Sequence, residues 1–228
     1  MSKLIKLTPD PISFSVVEIR FSPKIPLDVF FGMIYNNIKD QYPAIQKHKE
    51  NKTNKLHPKY ALLDESFAIN IGSNIISFTS IKGYLGWKEI FSRIKNFFNK
   101  IDNLDIFDEI SRIGLRYINF FEDITTISEH LKLDLSYNFD TPPPIANQII
   151  SSFIVEDDIL CTINIENNTV NKNKKGSIVD IDCSFNTPIS YDLKKVLDYI
   201  DKCHVVEKDY FVKIIKKDLL KKYNAQYK

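Results

Sequence analysis

Hydrophobic and polar residues alternate through Ser111–Phe121, near the middle of this chain. The alternation places Leu115 on one face of a predicted strand and Arg112 and Arg116 on the other. An earlier stretch, Ser13–Phe21, alternates in the same way and has apolar residues on both faces at its start. Strands with apolar residues on both faces are typical of the centre of a sheet, so we expect Ser13–Phe21 to be a central strand.

The remaining pattern predicts a mixture of strands and amphipathic helices. Further strands are predicted at Ser66–Gly72, Ile75–Lys82, Leu133–Phe139, Ile149–Val155, Ile159–Glu166 and Gly176–Phe185. Helices are predicted at Leu27–Tyr42, Trp87–Ile101, Ser190–Cys203 and Glu207–Tyr223, with a short one ending near Leu131. Loops are predicted at Ala44–Tyr60 and Asn167–Lys175, and a stiff link at Pro142–Pro144.

The order of these elements repeats along the chain, which predicts two similar halves, residues 1–105 and 106–228. Glu18-Ile19-Arg20-Phe21 in the first half resembles Gly114-Leu115-Arg116-Tyr117 in the second. The alternative is a chance similarity of short amphipathic elements. We predict an α+β fold: a mainly antiparallel, curved sheet with helices on one face, its two halves packed as one unit and related by an internal duplication. Trp87, preceded by Gly86, should be largely buried against the sheet.

Composition restricts the class of protein. A hydrophobic fraction of 43% is sufficient for a large core, and a net charge of +2 gives no general argument for a nucleic-acid partner. The three cysteines show no CxxC spacing and are expected to be buried free thiols in a reducing compartment. No apolar run reaches the roughly 18 residues of a membrane span, so we expect a cytoplasmic protein without membrane contact.

Arginines within otherwise apolar strands are the first candidate site. Arg20 and Glu18 share one face by alternation, and Arg112 and Arg116 join them if the two central strands are neighbours. One interpretation is a structural ion-pair network, because a buried guanidinium requires a partner. The other is a binding pocket for a phosphate, a carboxylate or an acidic peptide, since arginine presents a fork of donors to such groups.

Lysine-rich segments are the second candidate site. They lie at Lys47–Lys59, at a hairpin tip containing Lys172, Lys174 and Lys175, and at Lys213–Lys228, which includes Lys217 and Lys221. Together they could follow a nucleic-acid backbone, as in a binding protein or a nuclease. The alternative is that they form solvated faces in a lysine-rich proteome, and few aromatic residues are interleaved with them.

Catalytic signatures are absent from the sequence. The four histidines show no metal-ligand spacing, and no P-loop, dinucleotide-binding fingerprint or GxSxG motif occurs. Asp180 and Asp182 lie opposite apolar neighbours in their strand and are expected to face solvent. We therefore expect no catalytic residues, no metal and no cofactor, and the motifs favour a role other than enzymatic catalysis.

Three sequence segments together resemble one family. They are Val17-Glu18-Ile19-Arg20-Phe21 following Pro11-Ile12, then Tyr84-Leu85-Gly86-Trp87, then Arg112-Ile113-Gly114-Leu115-Arg116-Tyr117-Ile118-Asn119. Their order and the central Gly-Leu-Arg-Tyr-Ile-Asn strand resemble a sporadically distributed family of prokaryotic proteins with no assigned function. The patchy distribution implies horizontally moving genes, which fits phage defence or toxin–antitoxin cassettes. The resemblance supplies no catalytic residue.

These observations predict a non-catalytic binding or protein-interaction component, with a protein partner and a homo-oligomer as an option. The competing hypothesis is a nucleic-acid-binding protein or nuclease that uses the basic segments.

Overall fold

The computed structural model describes residues 4–48, 57–133 and 147–227. Its strands are β1 (Leu4–Lys6), β2 (Ile12–Pro23), β3 (Ala44–Lys47), β4 (Tyr60–Leu63), β5 (Phe67–Ile71), β6 (Ile75–Ser80), β7 (Phe107–Glu122), β8 (Asn147–Val155), β9 (Ile159–Asn171), β10 (Lys174–Phe185), β11 (Ile189–Ser190) and β12 (Gln226–Tyr227). Its helices are α1 (Leu27–Ile38), α2 (Trp87–Ile101), α3 (Leu193–Ile214) and α4 (Lys217–Lys222), with 3₁₀ turns at Asp102–Leu104, Ile127–His130 and Glu156–Asp158.

One large antiparallel sheet organises the molecule. Its strand order is β3-β4-β5-β6-β2-β7-β10-β9-β8, and β11 pairs with one end of β7. The two arginine-containing strands, β2 and β7, lie side by side near the middle of the sheet. The central position of β2 was predicted, and its pairing with β7 is the condition under which the arginines were expected to meet. The predicted α+β class, with helices packed on an antiparallel sheet, is confirmed.

The chain passes through the sheet twice in a similar order. β2 is followed by α1, the antiparallel strands β4 to β6 and then α2. β7 is followed by a 3₁₀ turn, the antiparallel strands β8 to β10 and then α3. The two sets of strands extend from the central pair in opposite directions, which is the arrangement that a duplicated half would adopt. The duplication itself and its boundary at residue 105 stay predictions.

The core lies between the sheet and the helices α1, α2 and α3. Phe30 of α1 stacks on Phe21 of β2 with ring centroids 5.0 Å apart, and Phe97 of α2 meets Phe78 of β6 edge-on at 5.2 Å. Burying each such ring stabilises the fold by about 1.5–3 kcal/mol. Because side chains alternate along each strand, the buried apolar residues of the two central strands, such as Ile19 and Leu115, face the helices, and their arginines lie on the opposite face. We call that opposite face the open face, since no helix in the described ranges packs on it.

The predicted loop at Ala44–Tyr60 is partly wrong. Its beginning forms β3, which pairs with β4, a strand that the pattern did not predict. All four residues of β3 are exposed, so no buried apolar face was present to mark it in the sequence. Residues 49–56 lie outside the described residues, as do positions 134–146, which include most of the predicted strand at Leu133–Phe139 and all of Pro142–Pro144.

The predicted loop at Asn167–Lys175 is also wrong. β9 and β10 continue through it and meet at a two-residue turn, where Lys172 and Asn173 have φ values of 48° and 66°. Two consecutive positive φ values are typical of the tight hairpin turn whose twist matches that of its strands. Polar residues on both strands concealed the pairing, so the alternation alone ended each strand too early.

The predicted break between the last two helices lies in the wrong place. α3 continues from Leu193 to Ile214, through the predicted end at Cys203. Cys203, Glu207 and Phe211 are all buried, and their spacing of four residues forms one continuous inward face. The acidic Glu207 interrupted the apolar pattern in the sequence, and the helix ends only at Ile214.

The two ends of the described chain pair with each other. β1 pairs with β12, and the backbone N–H of Thr8 donates to the carbonyl of Tyr223 at 2.7 Å. The Asn224 side chain donates to the carbonyl of Thr8 at 2.9 Å. Residues 4–11, here called the N-terminal strap, are thereby fixed beside α3 and α4.

The three cysteines are buried and free, as predicted. Cys161 and Cys183 are directly paired neighbours on β9 and β10, with their sulfurs 3.5 Å apart. Within the described residues, no helix is both long and apolar enough to cross a membrane.

Candidate functional site

The sequence-predicted arginines meet on the open face. Strand pairing places Arg20 opposite Arg112, Glu18 opposite Gly114, and Arg116 opposite Asp182. Directly paired residues of antiparallel strands share a face, so the alternation in each strand and the register between strands together assemble the group. We call the following six residues the arginine–carboxylate cluster: Glu18, Arg20, Arg112, Arg116, Asp180 and Asp182.

Arg112 is the centre of this cluster. Its guanidinium donates to Glu18 Oε1 at 3.0 Å and to both oxygens of Asp182 at 2.9 and 3.1 Å. Glu18 also accepts a hydrogen bond from Nε of Arg20 at 2.8 Å. The predicted pairing of Arg20 with Glu18 is therefore present, and Arg112 extends it across the central strands to β10.

Arg116 forms a second pair in the cluster. It donates from Nε and Nη2 to the two carboxylate oxygens of Asp180, at 2.8 and 2.5 Å. The Asp180 side chain is only 7% exposed, whereas that of Arg116 is 44% exposed. The hydrogen bonds from Asp180 raise the pKa of Arg116 above its ordinary value. A nearly buried carboxylate is thus neutralised by a half-exposed guanidinium.

The expectation that Asp180 and Asp182 face solvent was wrong for Asp180, whose side chain is 7% exposed beneath Arg116. Asp182 keeps 34% of its side chain exposed and is paired with Arg112. Both lie opposite their apolar neighbours, as predicted. Burial raises the pKa of Asp182, and the nearby guanidiniums of Arg112 and Arg116 oppose that rise. The sequence did not reveal the contact because alternation defines a face without defining which strands are adjacent.

Gly114 has a specific role in the cluster. A β-carbon placed at this position would collide with the guanidinium of Arg112, which is two residues earlier on the same face of β7. Glycine therefore leaves the space through which Arg112 reaches both of its carboxylate partners. This contact gives a physical reason for the Arg-Ile-Gly order in the central strand.

The formal charges of the cluster balance, because it contains three guanidiniums and three carboxylates. Each of its three guanidiniums contacts at least one carboxylate group, and these contacts account for Glu18, Asp180 and Asp182. The contacts are those of the ion-pair network considered from the sequence. The binding of an external anion at Arg20, Arg112 and Arg116 stays a prediction.

The lysines proposed for nucleic-acid binding lie on two separate elements. Lys172 is in the β9–β10 turn, and Lys174 and Lys175 follow Asn173 at the start of β10. Lys174 pairs with Glu122 of β7 at 2.8 Å. Lys217 and Lys221 lie on α4 and are exposed. Nucleic-acid binding by these five lysines stays a prediction.

A cavity on the helix side of the sheet was not predicted from the sequence. It has a volume of about 410 Å³ and lies between the N-terminal strap, the start of α2, β7 and α3. Most of its wall is apolar or aromatic, with contributions from Tyr84, Trp87, Tyr117 and Phe211. Its size and lining are typical of a small-molecule site.

Aromatic and polar groups form a chain along one wall of this cavity. The Tyr84 and Tyr117 hydroxyls are 3.2 Å apart, and the Tyr117 hydroxyl is 3.3 Å from Nδ1 of His204. The His204 ring stacks on Trp87 with centroids 4.2 Å apart, and Nε1 of Trp87 donates to Asp201 at 3.0 Å. Burial raises the pKa of Tyr84 to about 12 and raises that of Tyr117 as well.

Trp87, which was predicted to be largely buried against the sheet, is only half-buried. It is a wall residue of the cavity and packs on Phe91 as well as on His204. Gly86 precedes it with a φ of 85°, a backbone conformation that glycine adopts without strain. The glycine thus sets the entry of the chain into α2, and the tryptophan faces the cavity rather than the interior of the core.

Glu207 is the most unusual polar residue of the cavity. It lies on the inward face of α3 and is only 3% exposed. Burial raises the pKa of its carboxyl group well above the ordinary value of 4.5, while Lys208 acts weakly in the opposite direction. Within the described ranges, no hydrogen bond or ion pair to this carboxyl group is found. A glutamate at an inward helical position was the one signal in the sequence that pointed to this place.

Metal chemistry has no evident ligand set in the described part of the chain, where no group of three or more histidine, cysteine, aspartate or glutamate side chains is arranged to hold an ion. The chain matches no protein-family model and no curated protein. The resemblance described from the sequence therefore stays a prediction, and the residues themselves must support any functional conclusion.

Proposed function

We propose that this chain is a non-catalytic protein-interaction protein that associates through the outer edge of β8. The single observation that carries the proposal is the composition of that edge. β8 has nine residues, Asn147 to Val155, with no charged residue, no proline and no glycine. Within the described ranges, no strand pairs with its outer side, since β9 is its partner on the inner side.

Exposed strand edges present unpaired N–H and C=O groups to other chains, and proteins usually protect them with charges, prolines or short length. The opposite edge of the sheet follows this rule, because β3 has only four residues and ends at Lys47. β8 does not follow it. An unprotected edge of this length is suited to the addition of a strand from another protein.

Exposed apolar side chains lie beside this edge. Ile150 and Ile154 are 61% and 65% exposed, and strand pairing places both on the open face. A strand added next to β8 would cover part of these side chains while pairing its backbone. Burial of apolar surface would then accompany the new hydrogen bonds.

A second copy of the chain is the partner to which we commit. An antiparallel pair of β8 strands centred on Ser151 sets Ile149 against Phe153 and Ile150 against Ser152, so apolar and small residues meet on both faces. The strand carries no charge, so the pairing brings no like charges together. Such a symmetric interface is the commonest form of protein self-association.

Sedimentation velocity over a range of concentrations tests the proposal. The wild-type chain should show a monomer–dimer equilibrium, and the double variant Ile150→Lys/Ile154→Lys should remain monomeric. Val29→Lys is the matched control, because Val29 is a 52% exposed apolar residue on α1, far along the chain from β8. A wild-type protein that is monomeric at every accessible concentration would contradict the proposal.

The proposed biological setting is a cytoplasmic component of a phage-defence or toxin–antitoxin cassette. Its support is the sequence resemblance to a patchily distributed prokaryotic family. Challenging cells with phage, with and without the gene and with the double variant at β8, tests this setting. Protection that requires the β8 edge would link the setting to the interaction surface.

A further inference from the structure

We infer that the cavity beneath the N-terminal strap binds a small organic cation, an amine on an apolar skeleton, whose charged nitrogen pairs with the Glu207 carboxylate. The inference is separate from the proposed association through β8. It depends on the position of one buried acid, on the walls around it and on the size of the space.

The buried acid is the first argument. Glu207 lines the cavity and is 3% exposed, and no donor among the described residues hydrogen-bonds to its carboxyl group. A buried carboxyl group without a partner is costly, whether it is charged or neutral, because its lost hydration is not replaced. A ligand that donates to it would supply the missing partner. A cationic nitrogen would do so with a charge-assisted hydrogen bond.

A second carboxyl group at the cavity favours a positively charged ligand. Asp10 of the N-terminal strap also lines the space, and burial raises its pKa. Asp10 accepts a hydrogen bond from the backbone N–H of Ile12 at 3.0 Å, and that bond and Lys6 oppose the rise at Asp10. Lys208, which also lines the cavity, opposes the rise at Glu207. Glu207 accepts no hydrogen bond from the described residues, so its charged form is the one that the protein itself leaves poorly compensated.

The walls provide the third argument. Tyr84, Trp87, Tyr117 and Phe211 surround the space with aromatic rings. The faces of such rings attract cations, and the attraction increases when the cation is removed from water. Aromatic walls together with a buried acid form an arrangement suited to recognising ammonium groups.

The size of the cavity limits the ligand. A volume of about 410 Å³ accommodates an arylalkylamine but not a folded peptide. The N-terminal strap forms one side of the space, and its attachment to Tyr223 and Asn224 holds that side in place. The ligand class is therefore a compact amine rather than a protein segment.

Three probes of matched shape test the charge requirement: 2-phenylethylamine, 2-phenylethanol and 3-phenylpropionate, which are cationic, neutral and anionic at neutral pH. Trp87 is the sole tryptophan of the chain and lines the cavity, so its fluorescence reports occupancy directly. We expect a saturable change with the amine, weaker binding of the alcohol and none of the acid.

Glu207→Gln supplies the matched variant, since it keeps the shape of the side chain and removes its charge. We expect the affinity for the amine to fall by about tenfold or more and that for the alcohol to change little. Asp198→Asn, at an exposed carboxyl group on the same helix, should change neither. Absence of amine binding, or equal binding of amine and alcohol to the wild type, would overturn the inference without reference to any variant.

Discussion

Arg116 lies directly opposite Asp182 in the strand register, yet its guanidinium binds Asp180, the next residue along the same face of β10. Asp182 is instead bound by Arg112. Each arginine therefore reaches diagonally across the strands, and the two ion pairs are displaced in the same direction. This shared displacement positions Arg112 between two carboxylates and joins three strands by side-chain contacts.

Removing Arg116 should destabilise the protein. Arg116→Ala leaves the carboxylate of Asp180 nearly buried and unpaired, which we expect to lower the free energy of unfolding by about 1–3 kcal/mol. The value is below that of a fully buried pair because Arg116 is half exposed. Urea titration measures it, and Lys174→Ala, which removes an exposed ion pair, should have a smaller effect.

Sulfate addition separates the two interpretations of the same arginine. A stabilisation of the wild type by sulfate that disappears in Arg116→Ala would support the anion pocket. Equal stability with and without sulfate, together with a large loss in the variant, would leave the ion-pair network alone.

Gly114→Ala should disturb the cluster without changing any charge. The added methyl group collides with the Arg112 guanidinium and forces it away from Glu18 and Asp182. We expect a loss of about 0.5–3 kcal/mol in the free energy of unfolding. In the background of Arg112→Ala the same substitution should cost much less, because the colliding group is gone. A similar cost in both backgrounds would contradict this role of Gly114.

The raised pKa of Glu207 leads us to expect a specific dependence of protein stability on pH. Its pKa is higher in the folded protein than 4.5, its ordinary value, so the folded state holds the proton more tightly than the unfolded state. Stability contributed by this group is therefore complete below pH 4.5 and declines as the pH rises toward the folded pKa. Burial also raises the pKa values of Asp10 and Asp182, so those groups act in the same direction.

Comparison with Glu207→Gln isolates that contribution. The difference in free energy of unfolding, wild type minus variant, should decrease as the pH rises from 4.5 to neutral. Denaturant titrations of both proteins at several pH values measure it. A difference that is independent of pH would show that Glu207 titrates alike in the folded and unfolded states.

Nucleic-acid binding is expected to be weak at most. If Lys217 and Lys221 neutralise phosphates, affinity must fall steeply as salt concentration rises, because each contact releases a counterion. We expect labelled single- and double-stranded DNA and RNA to bind only at low salt and without sequence preference. Tight binding at physiological salt that is lost in Lys217→Ala/Lys221→Ala would favour the competing hypothesis.

The sequence predicted the elements that bury one clear face. α2 was predicted with its observed bounds, from Trp87 to Ile101, because its apolar residues keep helical spacing throughout. The shared face of Glu18, Arg20, Arg112 and Arg116 also followed from alternation, once β2 and β7 were assumed to be neighbours. Both successes depended on local periodicity, which one strand or one helix displays by itself.

Features that depend on contacts between distant segments were missed. Asp180 was assigned to solvent because nothing local shows that Arg116 lies across from it. Glu207 was taken as the beginning of a helix because an acid rarely occupies an inward position, although it continues the buried face of α3. The cavity could not be predicted, since its walls come from four segments that are far apart in the chain.

Hydrogen–deuterium exchange across β8 is the most direct test of the central claim that chains associate through this edge. We predict that the β8 amides that point away from β9 exchange rapidly in dilute protein. They should become protected at concentrations where the dimer forms, while the amides of β3 at the opposite edge remain unchanged. The variant Ile150→Lys/Ile154→Lys should show rapid exchange at every concentration. Exchange in the wild-type β8 that does not depend on concentration would contradict the claim.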